Sequence, residues 1–225
     1  MLELSKRLSL IAQFVNEGSS VCDVGTDHGY LPAFLFLSGR CRSVCATDIN
    51  QKPLESAKTN LKRLGVDGVR LVLCDGLAQI SRADADTVII AGMGGEVISG
   101  IINRASFLKD HTVSLILQPT TAAKELRLFL AKNGFTIERE KAIAENGKIY
   151  SVMCARFKGQ PYDIDDVKAV IGLLKNDSDD ACAYIEKQYR IAQKCAIDLS
   201  GVAHKQTEYK HYLNLSEKLK NILGG

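Results

Sequence analysis

The segment VCDVGTDHGYLP, residues 21–32, places ionisable side chains where nucleotide-binding turns usually have bare backbone. Gly25 and Gly29 follow an apolar run at a spacing typical of glycine-rich loops, which bring backbone amides close to a ligand. Asp27 and His28 stand where the usual pattern has a third glycine. A carboxylate here would repel a pyrophosphate by an energy on the order of several kcal/mol in a partly desolvated site. The loop therefore favours a ligand with positive charge.

Four further apolar runs also end in polar or glycine-rich turns. Asp48 follows the first loop by about 20 residues, the place of an acid that holds a ribose diol. Asp75-Gly76 suits an adenine edge, because a carboxylate accepts from the exocyclic amine and a backbone amide donates to a ring nitrogen. The other two turns are AGMGGE, residues 91–96, and Gln118-Pro119-Thr120. Each residue alone could equally be a helix cap or a turn residue; together they predict an adenosine site.

S-adenosylmethionine is the adenosine compound that fits a loop containing carboxylates. It carries a sulfonium and an ammonium group but no phosphate, so the acidic loop attracts it. A dinucleotide would instead need its pyrophosphate at a helix N-terminus with neutral amides around it. The sequence therefore predicts a methyl donor rather than a nicotinamide dinucleotide as the cofactor.

The elements that must position these turns alternate between strands and helices. Five buried strands are predicted in the runs SSVCDVG, SVCATDIN, VRLVLCDG, DTVIIAGMGG and TVSLILQP. Residues 135–157 add two strands joined by a turn at Asn146-Gly147, which we expect to place an antiparallel strand at one edge of the sheet. The alternation predicts a doubly wound, Rossmann-like α/β fold. In such sheets ligands lie beyond the carboxyl ends of the strands, so the five turns should meet there.

The chain changes character near residue 160. From Asp163 onward no run resembles a strand, and three helical patterns follow. Ser200-Gly201 is predicted to turn the chain between two antiparallel helices. The inward faces of these helices are predicted to contain Ile185, Ala192, Cys195 and Leu199, and then Tyr209, Leu213, Leu219 and Ile222. We expect a catalytic domain at 1–160 and a small helical hairpin, coiled-coil-like, at 161–225.

Composition excludes several classes of protein. The net charge of +3 over 225 residues is too small to identify a polyanion partner by itself. No apolar run approaches the about 20 residues of a membrane helix, and no secretory signal opens the sequence, so a cytoplasmic protein without membrane contact is expected. The seven cysteines form no C-x-x-C pair and have no histidine at zinc-ligand spacing, which predicts reduced thiols and no metal.

The segments DVGTDHGYLP, ATDIN, CDGL, IAGMGGE and LQP together resemble the bacterial tRNA (adenine(22)-N(1))-methyltransferases. The resemblance covers nearly the whole chain. It implies a class I, S-adenosylmethionine-dependent methyltransferase domain followed by a C-terminal helical coiled-coil domain, and methylation of N1 of adenine 22 in tRNA. The cofactor contacts that it implies are Gly25, Asp27, His28, Gly29, Asp48, Ile49, Asp75, Gly76, Gly92, Met93 and Gly94.

The predicted catalytic residues are Asp27, His28, Tyr30 and Met93. Tyr30 could stack on the target base or simply pack, and His28 could line the pocket or bond to a neighbouring backbone. Asp27 could accept from the N6 amine of the target or from the cofactor's ammonium. Many methyltransferases of the adenine amino group carry an N-P-P-Y motif after the fourth strand. The AGMGGE sequence found here fits attack through a ring nitrogen instead.

RNA contact requires cations and groups that reach the base. The predicted substrate contacts are Lys6, Arg7, Gln118, Pro119, Lys187, Arg190 and Lys194, with Arg40 and Arg42 as further candidates. Each charge could equally belong to a solvated face. The hairpin at 161–225 is expected to grip folded tRNA, with dimerisation as the rival role, and a monomer is slightly favoured. Alternatives are a class I methyltransferase of a small molecule or protein, or a non-catalytic RNA-binding protein.

Overall fold

The structure, a computed structural model, describes residues 2–224 as a seven-stranded sheet with helices on both faces. The strands are β1 Ser20–Val24, β2 Ser43–Asp48, β3 Val69–Leu73, β4 Thr87–Gly94, β5 Ser114–Thr121, β6 Phe135–Glu145 and β7 Lys148–Phe157. The helices are α1 Lys6–Phe14, α2 Tyr30–Leu37, α3 Gln51–Arg63, α4 Gly95–Arg104, α5 Ala123–Lys132, α6 Asp166–Ile171, α7 Asp179–Leu199 and α8 Gln206–Ile222.

The strands lie in the order β3-β2-β1-β4-β5-β7-β6. The first five strands of the chain are parallel, and β7 pairs antiparallel with both β5 and β6. The predicted doubly wound fold is therefore confirmed. The predicted hairpin does bring antiparallel pairing to one edge of the sheet, but β6 forms the edge itself, and β7, the strand that runs against the others, lies second from it. Asn146 and Gly147 both have positive φ, the geometry of a tight hairpin turn, and this turn returns β7 into the gap beside β5.

The sheet is apolar on both faces because helices cover both. Val21, Ile89 and Ile116 belong to the cluster that includes α1 and α2. Cys22, Val88 and Leu115, each the sequence neighbour of one of these residues, point into the opposite cluster with α4 and α5. Parallel strands covered in this way have no solvent-exposed face, which explains their continuous apolar runs.

Helices α7 and α8 form the predicted hairpin, joined through residues 200–205. The inward face of α8 includes Leu215, Leu219 and Ile222, which pack with α7. Leu213, predicted to lie on that face, is 39% exposed. The prediction was wrong because Leu213 precedes Leu219 by six residues, roughly 240° around a helix.

A buried arginine joins the helical tail to the sheet. Arg127 of α5 and Glu140 of β6 are almost completely buried, with Nη2 2.7 Å from Oε1. The other donors of the guanidinium reach the carbonyls of Ala169 and Val170 and the hydroxyls of Ser151 and Tyr184. One side chain therefore connects α5, β6, β7, α6 and α7. Within residues 2–224, no helix combines the length and apolar character that a bilayer crossing requires.

Candidate active site

The first and fourth turns, predicted to belong to one site, touch at Gly25. Gly25 and Gly29 have φ of 78° and 70°, backbone conformations that L side chains rarely adopt. A Cβ at Gly25 would collide with the terminal methyl group of Met93 in the β4 turn, and a Cβ at Gly29 would lie 3.0 Å from that of Ala57 in α3. The loop after β1 therefore fits closely between β4 and α3, and glycine is needed on both sides.

Thr47 connects three of the five turns. The amides of Gly25 and Thr26 donate to its carbonyl at 2.8 and 3.1 Å, and its hydroxyl donates to the carbonyl of Gly76 at 2.9 Å. The side chain is fully buried at the end of β2. These bonds hold the loops after β1, β2 and β3 in one arrangement, as an extended ligand would require.

The second and third turns present acids at the same edge of the sheet. Asp48 accepts from the amide of Asn50 through Oδ1 at 2.8 Å, which leaves Oδ2 for a ligand. Ile49 is 62% exposed beside it. Asp75 is well exposed, and its Oδ1 lies 3.1 Å from Nη2 of Arg104. The carboxyl ends of the strands thus offer carboxylate oxygens and an apolar surface to an adenosine.

Three of the predicted catalytic residues form a separate group on the α3 side of the loop. His28 Nε2 lies 3.3 Å from Asp27 Oδ2, and the Asp27 side chain is 79% exposed. The rings of His28 and Tyr30 are 5.8 Å apart. Both line a groove with Lys52 and other residues of α3. The structure therefore brings Met93 to Gly25 and places Asp27, His28 and Tyr30 on an exposed rim.

Asp23 is a further candidate site residue, outside the set that the sequence motifs predicted. It lies in β1 directly before the loop and is only 6% exposed. Burial raises the pKa of its carboxyl to about 6, although a hydrogen bond from Thr26 opposes the shift. Such a carboxylate is charged at pH 7 in a poorly solvated position, so a neighbouring cation would stabilise it. The signal in the sequence was the one acid within an otherwise apolar run.

Gln118 supports the β4 turn from inside the protein. Its Oε1 accepts from the Gly92 amide at 3.1 Å and from Arg7 Nη1 at 2.6 Å, and its Nε2 donates to the Pro119 carbonyl at 2.9 Å. Gln118 and Pro119 are both buried. We therefore assign Gln118 a positioning role in place of the predicted contact with a base. Arg7 is fixed further by Glu145, 3.5 Å from its Nε.

The other predicted RNA contacts differ in their surroundings. Arg42, a further candidate for RNA contact, precedes β2 at the amino ends of the parallel strands and pairs with Asp86 at 3.0 Å. Arg40 lies at the same ends, so both arginines are on the side of the sheet away from the site turns. Arg190 and Lys194 are exposed on α7 but pair with Glu186 and Asp198 at 2.5 and 2.6 Å. Lys6 and Lys187 are also exposed. Among the described residues, no group of three or more His, Cys, Asp or Glu side chains could hold a metal ion.

The strand order, the antiparallel β7, the glycine loop after β1 and the acid after β2 define a class I methyltransferase. A family profile described as a methyltransferase domain matches residues 4–153. The tRNA (adenine(22)-N(1))-methyltransferase of Bacillus subtilis is 32% identical over 174 residues, 77% of this chain and 73% of that protein. The chain belongs to this tRNA (adenine(22)-N(1))-methyltransferase family, as its sequence motifs predicted.

Solved structures agree with this assignment over the whole chain. The B. subtilis m1A22 tRNA methyltransferase TrmK superposes with a TM-score of 0.83 at 26% identity and covers 99% of this chain and 100% of its own. A candidate tRNA (m1A22) methyltransferase of Streptococcus pneumoniae, in complex with S-adenosyl-L-methionine, gives 0.81 at 29% identity, with 98% and 100% covered. The similarity therefore includes the helical tail.

Replacing Gly25 by alanine is expected to weaken binding of S-adenosylmethionine by about tenfold or more. The new methyl group would meet the end of the flexible Met93 side chain, which must turn away from its place in the β4 turn, and it adds a backbone strain of about 1–2 kcal/mol at a positive φ. Gly39→Ala is the matched control, because Gly39 also has a positive φ (67°) but open space where the Cβ would be. Calorimetric titration with S-adenosylmethionine should give a higher dissociation constant for Gly25→Ala and an unchanged one for Gly39→Ala. Equal loss in both would assign the effect to strain alone.

Proposed function

We propose that this chain transfers the methyl group of S-adenosylmethionine to N1 of adenine 22 in tRNA. The observation that carries the proposal is the close fit of the Gly25 loop against Met93 of the β4 turn, in a chain that is 32% identical to a relative named for this reaction. We place the end of the cofactor site at this junction, beside the proposed entry of the target base.

The site suits the cofactor by the chemistry of its residues. Asp48 Oδ2 would accept from the ribose diol, exposed Ile49 would pack against the adenine, and Asp75-Gly76 would bond to the adenine edge. Asp23 supplies a buried negative charge toward a cationic ligand. When bound, S-adenosylmethionine supplies an electrophilic methyl group. The loop residues Gly25 to Gly29 and the β4 residues Gly92 to Gly94 would hold it and exclude water.

The reaction needs orientation more than proton transfer. N1 of adenine has a free lone pair at neutral pH, so no general base is required to create the nucleophile. The protein must hold the base in line with the methyl group and favour the positive charge that develops on the ring. A base-paired adenine must first leave its stack. We assign Tyr30 and His28 to the rim that receives the flipped base, with Asp27 as an acceptor for a positively charged or amino group.

The helical tail, residues 161–225, is proposed as the arm that grips tRNA. Arg127 bonds to α6 and to α7, so the start of the tail is attached to the sheet. This attachment fixes where the tail stands relative to the methyl-transfer turn. Arg7, held against Gln118, and exposed Lys6 and Lys187 are the cations proposed to contact RNA. A tRNA substrate would place the reaction in the cytoplasm.

The test is methyl transfer to unmodified tRNA from labelled S-adenosylmethionine, followed by nucleoside mass spectrometry. We expect 1-methyladenosine with wild-type tRNA and none when guanine replaces adenine 22. Asp48→Ala should require at least about tenfold more cofactor while binding tRNA normally, because it loses the ribose acceptor and the local bond to the Asn50 amide but no proposed contact to RNA. The proposal would be refuted if the label were found in another nucleoside, or if the tRNA with guanine at position 22 were methylated as well as the wild-type tRNA.

A further inference from the structure

A cleft of about 220 Å³ lies where the end of β5 and the start of β7 face α7; we call it the α7 cleft. Its walls include Thr120, Lys124, Tyr150, Tyr184, Lys187 and Gln188. Its volume is below the about 300–1,000 Å³ of pockets that enclose a whole small molecule. The α7 cleft therefore suits one unit of a larger chain.

The α7 cleft shares a wall with the methyl-transfer turn. Thr121, which also lines the cleft, pairs in register with Gly94 of β4. On the other side, the guanidinium of Arg7 lies 5.9 Å from the ring centre of Tyr150, and Arg7 is bonded to Gln118, which holds the Gly92 amide. An occupant of the cleft therefore lies next to the base that reacts at the β4 turn.

The chemistry of the α7 cleft favours a nucleotide. Lys124 and Lys187 face a single acid, Glu125, among the lining residues. In the part of the chain that the structure describes, neither lysine joins an ion pair, whereas the next cations on α7 are neutralised by carboxylates four residues away. Tyr150 and the half-exposed Ile191 add flat and apolar surface on which a base or ribose can pack.

The walls of the α7 cleft are also rigid. The hydroxyls of Tyr184 and Ser151, which line it, both accept from Nη2 of buried Arg127 at 3.2 Å. Since Arg127 is held by Glu140, the distance between α7 and the start of β7 is set by a buried ion pair rather than by surface contacts. A preformed cleft can select one backbone geometry of the bound chain.

We propose that the α7 cleft seats a nucleotide adjacent to the target adenine, with its phosphate bound by Lys187 and Lys124. This inference rests on the proposed function, because the target adenine is assigned by it. The cleft would fix the register of the RNA strand, so that only one base reaches the β4 turn.

The test compares Lys187→Ala and Lys124→Ala with Lys132→Ala. Lys132 is an exposed lysine at the far end of α5, at the opposite edge of the sheet. Each cleft variant should raise the KM for tRNA about five- to tenfold and reduce the slope of log affinity against log salt by about one, with kcat and cofactor affinity unchanged. Lys132→Ala should match the wild type in every measurement.

Direct binding of tRNA, followed by fluorescence anisotropy, separates this inference from the proposed function. If the wild type binds tRNA but transfers no methyl group to adenine 22, the proposed function fails. The anisotropy of the lysine variants then still shows whether the α7 cleft binds the RNA strand. If Lys187→Ala and Lys124→Ala behave like Lys132→Ala, the cleft does not bind the strand. A wild type that neither binds nor methylates tRNA overturns both.

Discussion

Replacing Asp23 by asparagine is expected to stabilise the cofactor-free protein and to weaken cofactor binding. Burial raises the pKa of this carboxyl from 3.8 to about 6. The charged form is therefore disfavoured in the folded state by about 3 kcal/mol, at 1.36 kcal/mol per pKa unit. Asparagine has the same shape without the charge, so the free energy of unfolding at pH 8 should rise by up to about this amount.

The pH dependence of stability gives a sharper test. Because the pKa in the folded state lies above that in the unfolded state, the penalty is fully present above pH 6 and disappears as the pH falls toward 4. The stability difference between Asp23→Asn and the wild type should therefore shrink across this range, measured by urea unfolding at each pH. A variant that is less stable than the wild type at pH 8 would show that the carboxylate is well satisfied without a ligand.

Cofactor affinity should change in the opposite direction. A carboxylate that lacks solvent attracts a cation strongly, so Asp23→Asn should raise the dissociation constant of S-adenosylmethionine at least about tenfold. Wild-type affinity should fall as the pH drops below 6, where Asp23 takes up a proton, and the variant should lose this dependence. An unchanged dissociation constant would remove Asp23 from the proposed site.

Replacing Arg127 by methionine is expected to destabilise the protein by about 3–5 kcal/mol. The substitution leaves the buried carboxylate of Glu140 without its ion-pair partner. It also removes the donors that reach α6 and α7, so those helices should separate from the sheet at lower denaturant than the rest. Urea unfolding followed by far-ultraviolet circular dichroism measures both effects.

The double substitution Arg127→Met with Glu140→Met is the matched control. It removes both charges, and buried ion pairs replaced by apolar side chains of similar volume often lose little stability. We expect it to recover most of the loss, except for the bond that Glu140 Oε2 accepts from the Leu173 amide at 3.0 Å. If the double variant is as unstable as Arg127→Met, the unpaired charge of Glu140 is not the cause of the lost stability.

The sequence predicted those parts of the site that depend on local pattern and on one topological rule. Apolar runs gave the strands, and parallel strands bring their carboxyl ends to one edge, so the turns at Gly25, Asp48, Asp75 and Met93 were expected together. Arg127 could not be found in this way. Its partner Glu140 is 13 residues away and Tyr184 is 57 away, and in the pattern KELRLFLAK an arginine reads as a surface residue.

The spacing of charges in α7 already distinguishes its three candidate cations, although the sequence prediction grouped them together. Lys187, Arg190 and Lys194 follow one another at helical spacing, so they were treated alike. Glu186 and Asp198 lie four residues from Arg190 and Lys194, the separation at which side chains pair on a helix. The burial of Gln118 and the rim position of His28 required the three-dimensional structure, because neither follows from spacing.

The position of β7 inside the sheet imposes an order on the assembly of the protein during synthesis. β6 leaves the ribosome first but has no neighbour until β7 arrives, because β7 separates it from β5. Until then the β5 edge stays open to pairing with other chains. Helix α7 packs on β6 and β7 and so can dock only after both are in place. The nascent chain therefore builds its cofactor half first and its helical tail last.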